Sequence, residues 1–176
     1  MRSTLIFLSH LEDSDVAWLV HACQKRILKP QEILIKRGTV NQDIYMVLQG
    51  KCAVKAANNL HLGEIESGEL VGEISFVDQR KTTSEVCAVT PVTLAHLPES
   101  TLSTKFKSDV GFSARFYRGV ASVLAYRLRL NLQVAISGRS DILRSEEEFA
   151  GQLDMQDLDA TARAGARLEF MVKALA

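Results

Sequence analysis

The apolar positions of this chain follow a helical period at both ends and a strand-like period in the middle. Near the start, apolar residues recur every three or four positions, which predicts a helix over residues 13–23 with Ser14 as its cap. Pro30 closes this region, because proline interrupts the hydrogen bonding of a helix. The apolar positions of this helix are Val16, Leu19, Val20 and Cys23.

Residues 32–97 have a different sequence pattern, in which short apolar runs alternate with glycine, asparagine and proline. Short strands separated by regularly spaced turns are typical of a β-barrel or β-sandwich. Asn58-Asn59 lies between two such runs and predicts a tight hairpin, because asparagine tolerates a positive φ. The predicted strands are Ile33–Ile35, Ile44–Leu48, Cys52–Val54, Leu60–Ile65, Glu85–Val89 and Val92–Leu97.

The helical period returns after Pro98, which suits the first turn of a short helix over residues 98–106. A longer helix is predicted over residues 110–136, with Gly138 as its C-terminal stop. Its apolar stripe consists of two neighbouring rows flanked by arginines. One row is Phe116, Val120 and Val123, the next is Tyr117, Ala121, Leu124 and Leu128, and the arginines are Arg115, Arg118, Arg127 and Arg129.

Beyond the long helix the chain becomes polar, with three consecutive glutamates at Glu146–Glu148. We read residues 139–154 as a linker and expect a terminal helix over residues 155–175. The predicted organisation is therefore one domain over residues 1–138, followed by a polar linker and terminal helix over residues 139–176.

The composition excludes several classes of protein. The 176 residues carry 21 Lys plus Arg and 21 Asp plus Glu, and this neutral balance argues against broad binding of nucleic acid. No apolar run is long enough to span a membrane, and acidic residues follow Met1–Leu8 without a cleavage site, so no signal peptide is expected. The odd, unpaired cysteines suit a reducing, cytoplasmic location; they are Cys23, Cys52 and Cys87.

Signatures of catalysis are missing from the sequence. A metal enzyme built on a β-barrel needs clustered histidines, but no H-x-H pair occurs among His10, His21, His61 and His96. The chain also has no G-x-S-x-G, P-loop or G-x-G-x-x-G motif. We therefore expect a protein that is not an enzyme and that holds no metal and no cofactor.

The order of one helix, about eight short strands and a long helix resembles the cyclic-nucleotide-binding domain family, the sensory half of catabolite-activator regulators. The resemblance covers roughly residues 5–136 and rests on glycines at turns: Gly38, the Asp43–Gly50 segment and the Gly68–Phe76 segment. It implies a mainly β fold with flanking helices. The implied architecture is a double-stranded, jelly-roll-like β-roll with an N-terminal helix and a long C-terminal helix.

The resemblance also implies a ligand site. In the family, the Gly-Glu-aliphatic stretch opens a single helical turn beneath the cyclic phosphate, where free backbone N–H groups favour an anion and glycine permits close approach. Carried over by position, Gly72, Ile74 and Ser75 supply the phosphate cradle. Glu73 accepts a hydrogen bond from the ribose 2′-hydroxyl. The implied ligand is cAMP or cGMP.

The chain departs from the family pattern at the arginine that pairs with the phosphate. Thr82 stands at that position, and Thr83 matches a small hydroxyl residue of the pattern. Losing a charge-assisted contact costs about 1.5–3 kcal/mol, or roughly 10- to 100-fold in affinity. Lys81 or Arg80 is a candidate replacement cation, and a second possibility is that backbone amides with Thr82 and Thr83 suffice for a weaker or different ligand. The alternative to both is that Arg80 and Lys81 are solvated loop charges.

The domain is expected to pass its signal to a protein rather than to DNA. Only residues 137–176 follow the long helix, and they contain no basic recognition helix, so a DNA-reading module is not expected. The wide apolar face of helix 110–136 favours a homodimer. Two hypotheses remain: a cyclic-nucleotide sensor that signals to a partner protein, and a ligand-free β-roll that acts as a protein-interaction scaffold.

Overall fold

A computed structural model describes residues 3–137 and 155–175. Two short helices open it: α1 spans Ser3–Ser9 and α2 spans Asp13–Ala22. The residue before α2 is Glu12, whose backbone N–H donates to the Asp15 carboxylate at 2.8 Å. This reciprocal cap stabilises the first turn, so the expectation that Ser14 caps the helix was wrong.

Eight antiparallel strands form two four-stranded sheets, in the orders β1-β8-β3-β6 and β2-β7-β4-β5. This architecture confirms the predicted β-roll. The strands are β1 Gln24–Leu28, β2 Ile33–Ile35, β3 Ile44–Gln49, β4 Lys51–Lys55, β5 His61–Glu66, β6 Leu70–Val71, β7 Glu85–Ala88 and β8 Val92–Leu97.

Two of these strands, β1 and β6, were not predicted from the apolar pattern. β1 begins with three polar residues, and at the edge of its sheet only Leu28 is fully buried. β6 is two residues long. The predicted asparagine turn is present, since Asn58 and Asn59 both have a positive φ in the 3₁₀ turn Ala57–Asn59.

The strand β3 is apolar along nearly its whole length because it is buried on both faces. Tyr45 and Val47 face the core between the two sheets. Ile44, Met46 and Leu48 face a second core between the sheet and the helices. Alternate residues of a strand point to opposite faces, so a single strand contributes to both cores.

The remaining helices are α3 Glu73–Asp78, α4 Glu99–Ser108, α5 Val110–Ser137 and α6 Met155–Leu175. The two apolar rows of α5 separate in the structure. Phe116, Val120 and Val123 are fully buried, whereas Tyr117 is 45% exposed and Leu128 is 59% exposed. No helix of the described residues is both long enough and apolar enough to cross a membrane.

The terminal helix α6 packs on α1 and α2. Its Ala164, Leu168 and Met171 are buried in the same core as Phe7 of α1. The predicted linker 139–154 lies outside the described residues. The domain boundary at residue 138 stays a prediction.

Candidate ligand-binding site

A cavity of about 160 Å³ lies between the sheet β2-β7-β4-β5, the short helix α3 and the long helix α5. It is smaller than the roughly 300–1,000 Å³ of typical small-molecule pockets, so a nucleotide would project from its mouth or widen it. Its apolar floor is Ile35, Val54, Ile65, Val71 and Val86. Its other lining residues are Gly72, Glu73, Ile74, Ser75, Asp78, Lys81, Thr82, Thr83, Ser84 and Arg127.

Every residue that the sequence assigned to the ligand lines this one cavity: Gly72, Glu73, Ile74, Ser75, Lys81, Thr82 and Thr83. The segment that carries Thr82 is held in place at the cavity by backbone hydrogen bonds to the 36–40 loop. Ligand binding by these residues remains a prediction.

Gly72 begins α3 in a conformation that only glycine adopts easily. Its φ is +95°, and a Cβ added there would lie 2.4 Å from the carbonyl oxygen of Asp43. The backbone therefore passes against the start of β3 and turns directly into α3. The first N–H groups of a helix have no partner within it, and here they belong to residues that line the cavity.

Glu73 is 1% exposed and forms an ion pair with Arg127 of α5. The Arg127 Nη2 atom also donates to the carbonyl oxygen of Leu70 at 2.6 Å. Burial raises the pKa of Glu73 above its usual range, and the Arg127 charge opposes that rise. The sequence placed Arg127 only beside the apolar stripe of the long helix, and its position in the cavity follows from how α5 packs on α3.

The Thr82 hydroxyl donates to the carbonyl oxygen of Lys36 at 2.7 Å, and its backbone N–H donates to Thr39. Its one hydroxyl hydrogen is therefore used within the protein and is not offered to a phosphate. Thr83 is exposed at the cavity.

The charges that line the cavity are two cations and two carboxylates: Arg127, Lys81, Glu73 and Asp78. Because Arg127 pairs with Glu73, Lys81 is the lining cation that has no ion pair among the described residues. Arg80 does not line the cavity. Of the two loop cations considered from the sequence, only Lys81 lines the cavity.

Among the residues that the structure describes, no group of three or more His, Cys, Asp or Glu side chains is placed to hold a metal ion.

Comparison with known proteins agrees with the fold. Residues 25–109, just under half of the chain, match the family model described as "Cyclic nucleotide-binding domain". The matched range contains all eight strands except the first residue of β1, and it contains α3. No curated protein matches the chain significantly.

Several solved structures share the fold. The catabolite activator protein of Thermus thermophilus is 20% identical, with a TM-score of 0.61 over 97% of this chain and 86% of that one. A cyclic nucleotide-binding domain from Methylobacillus flagellatus is 18% identical, with a TM-score of 0.64 over 72% of each chain. The regulatory subunit of a cAMP-independent protein kinase A from Trypanosoma brucei is 25% identical, with a TM-score of 0.54 over 72% and 42%.

Proposed function

We propose that this chain is a non-enzymatic regulatory sensor that binds cAMP or cGMP and signals to a partner protein. The observation that carries the proposal is the Gly72–Ser75 turn, which opens α3 against the cavity and is joined to the long helix by the Glu73–Arg127 ion pair. A ligand contacting this turn would alter the position of α5. No cofactor or metal takes part.

Each residue has a distinct role in the proposed complex. The backbone N–H groups of Gly72, Ile74 and Ser75 hold the cyclic phosphate at the start of α3. Lys81 supplies the positive charge that the family pattern places at residue 82, and Thr83 donates from its hydroxyl. Glu73 accepts from the ribose hydroxyl, which competes with its ion pair to Arg127.

Competition between the ribose and Arg127 for Glu73 offers a way for ligand binding to change the position of α5. When the ribose contacts Glu73, Arg127 loses part of its attachment to α3, and the equilibrium position of α5 shifts. The exposed row of α5 is the proposed homodimer interface, since Tyr117 and Leu128 present apolar surface to solvent. We place the protein in the cytoplasm and assign it no DNA target.

The relatives support a signalling role and also allow for a different ligand. One solved structure, 18% identical to this chain, is described as part of a cyclic-GMP-dependent signalling pathway that regulates bacterial phytopathogenesis. The Trypanosoma regulatory subunit belongs to a kinase described as cAMP-independent. Both cyclic nucleotides therefore belong in the first experiment.

Isothermal titration of the full chain with cAMP and with cGMP tests the proposal. Two variants address the roles: Glu73→Gln, which keeps a carbonyl acceptor, and Lys81→Ala. Arg80→Ala is the matched control, because this neighbouring cation does not line the cavity. We expect micromolar binding that weakens roughly 10- to 100-fold in Lys81→Ala and is unchanged in Arg80→Ala.

An absence of heat at millimolar concentrations of both nucleotides would refute the sensor. The chain would then be assigned the alternative role of a ligand-free scaffold, and its protein partner would be sought directly. Equal losses in Lys81→Ala and Arg80→Ala would show that the charge acts at long range rather than by contact.

A further inference from the structure

The terminal helix α6 is attached to the N-terminal helices by a specific polar contact. The Arg167 Nε and Nη2 atoms donate to Asp13 Oδ1 at 2.8 and 2.7 Å, and its Nη1 atom donates to the carbonyl oxygen of Leu8 at 3.0 Å. The Leu8 carbonyl lies in the last turn of α1, so one guanidinium holds the ends of two helices. Met171 is fully buried beside them.

The other end of α1 holds the segment that leads into the cavity. The Thr4 backbone N–H donates to the carbonyl oxygen of Gly68 at 3.1 Å. The buried Ser3 hydroxyl oxygen accepts the backbone N–H of Leu70 at 2.8 Å. Leu70 begins β6, and β6 runs directly into Gly72. The position of α1 therefore constrains the start of α3.

The same residue, Leu70, connects α1 to the cavity ion pair. Its N–H donates to Ser3 and its carbonyl accepts from Arg127, whose other nitrogen pairs with Glu73. The contacts α6–α1, α1–Leu70, Leu70–Arg127 and Arg127–Glu73 are continuous. No described side chain of α6 lines the cavity itself.

α1 also lies against α5 too closely to move independently. A Cβ added at Gly119 would lie 2.9 Å from Phe7 Cδ2 and 3.0 Å from the Phe7 carbonyl oxygen. The rings of Phe7 and Phe116 meet edge to face at 5.0 Å. α1 thus packs against both α5 and α6.

We propose that α6 regulates the cavity through α1, with Arg167 and Ser3 as positioning residues for Glu73 and Arg127. This inference rests on the proposed function, since the regulated event is nucleotide binding. Docked α6 holds α1, and α1 holds the 68–70 segment and Arg127 in the arrangement described above. Because coupling between two sites is reciprocal, a ligand in the cavity changes the docking of α6 by the same factor.

The test combines titration with amide hydrogen exchange on the full chain. Arg167→Ala and Met171→Asp both weaken the docking of α6, the second by placing a charge in a buried contact. Arg167→Lys restores a cation at the same position. Lys173→Ala is the matched control, because Lys173 is exposed on the same helix and pairs only with Glu169 in the described part of the chain.

In the ligand-free protein, we expect Arg167→Ala and Met171→Asp to speed exchange over residues 68–74, with Lys173→Ala unchanged and Arg167→Lys partly restored. With cAMP or cGMP, we expect affinity in the first two variants to change at least about fivefold. In the wild type, we expect the ligand to change exchange over residues 164–171, a response that a purely structural contact would not produce.

The experiment distinguishes failure of the proposed function from failure of the regulation by α6. If neither nucleotide binds the wild type, the proposed function fails, and regulation of nucleotide binding fails with it. If nucleotide binds but residues 68–74 exchange normally in Arg167→Ala and Met171→Asp, α6 is not coupled to the cavity and the sensor proposal stands.

Discussion

The Arg127 guanidinium donates to the buried carboxylate of Glu73, and this ion pair joins the long helix α5 to the short helix α3 at the edge of the cavity. Glu73 is almost fully buried, whereas the Arg127 side chain is 28% exposed. Removal of the carboxylate therefore leaves a cation that water can reach. Removal of the guanidinium leaves a buried anion that water cannot reach.

This asymmetry predicts that Arg127→Ala destabilises the protein more than removal of the Glu73 carboxylate does. An ion whose partner is removed inside a protein costs about 3–5 kcal/mol, so the free energy of unfolding should fall by that order in urea denaturation. Adding Glu73→Gln to Arg127→Ala removes the unpaired charge and should recover part of the loss. Strictly additive single and double variants would contradict an energetic link between the two residues.

Gly72→Ala should disrupt the start of α3. The added Cβ meets the Asp43 carbonyl at 2.4 Å, and the residue has a φ of +95°, so the backbone has to move. We expect a loss of stability of about 1–3 kcal/mol together with a loss of nucleotide binding. Gly63→Ala is the matched control, because a Cβ there has nothing within 4 Å and no positive φ is involved. Normal titration by Gly72→Ala would show that the close approach is not needed.

Thr82→Arg should strengthen nucleotide binding. The change places a guanidinium where the family pattern has one, and a charge-assisted contact contributes about 1.5–3 kcal/mol, or roughly 10- to 100-fold in affinity. Thr82→Val serves as the control, since it loses the hydroxyl bond to Lys36 without adding a charge. Isothermal titration of both variants measures the effect. An affinity of Thr82→Arg no greater than that of Thr82→Val would mean that residue 82 does not face the phosphate.

The lowered pKa of Asp15 predicts that the protein loses stability in acid. Its burial favours the neutral form, but Arg115 donates to it at 2.7 and 2.8 Å and the Glu12 N–H donates as well, so the net pKa lies below its ordinary 3.8. A lowered folded-state pKa gives stability that is present above about pH 4 and lost as the pH falls through the folded value. We expect Asp15→Asn to be less stable than the wild type at pH 7, and its free energy of unfolding to fall less as the pH is lowered.

Chemical denaturation between pH 7 and pH 3 measures this difference. Asp109 contributes in the same direction, because the Phe112 backbone N–H and Lys105 also lower its pKa, so the wild-type slope is not abolished in Asp15→Asn. Identical slopes for the two proteins would mean that the pKa of Asp15 is the same in the folded and unfolded states.

The exposed row of α5 predicts a homodimer. Leu128 is 59% exposed and Leu132 is 51% exposed on the same face of the helix, so Leu128→Asp with Leu132→Asp should place charges in the interface and give a monomer. Light scattering after size-exclusion chromatography measures the mass. Ile27→Asp on β1 is the control, since Ile27 is equally exposed but lies on another element. A wild-type monomer at every concentration would contradict the interface.

The sequence by itself determined the local features of this protein. Periodicity located the long helix to within a residue or two, because a buried row repeats every three or four positions whatever it packs against. The resemblance of the Gly68–Phe76 segment to a known family predicted the helical turn at α3, and Gly72 begins that helix with a positive φ. The asparagine turn was predictable because asparagine tolerates a positive φ.

The tertiary structure decided what depends on residues far apart in the chain. Glu73 and Arg127 are 54 positions apart, and only the packing of α5 on the β-roll makes them an ion pair. The edge strand β1 owes its conformation to pairing with β8 rather than to its own polar residues. The docking of Arg167 on Asp13, 154 positions away, likewise has no signal in either segment, because only the packing of α6 on α1 and α2 brings the two groups together.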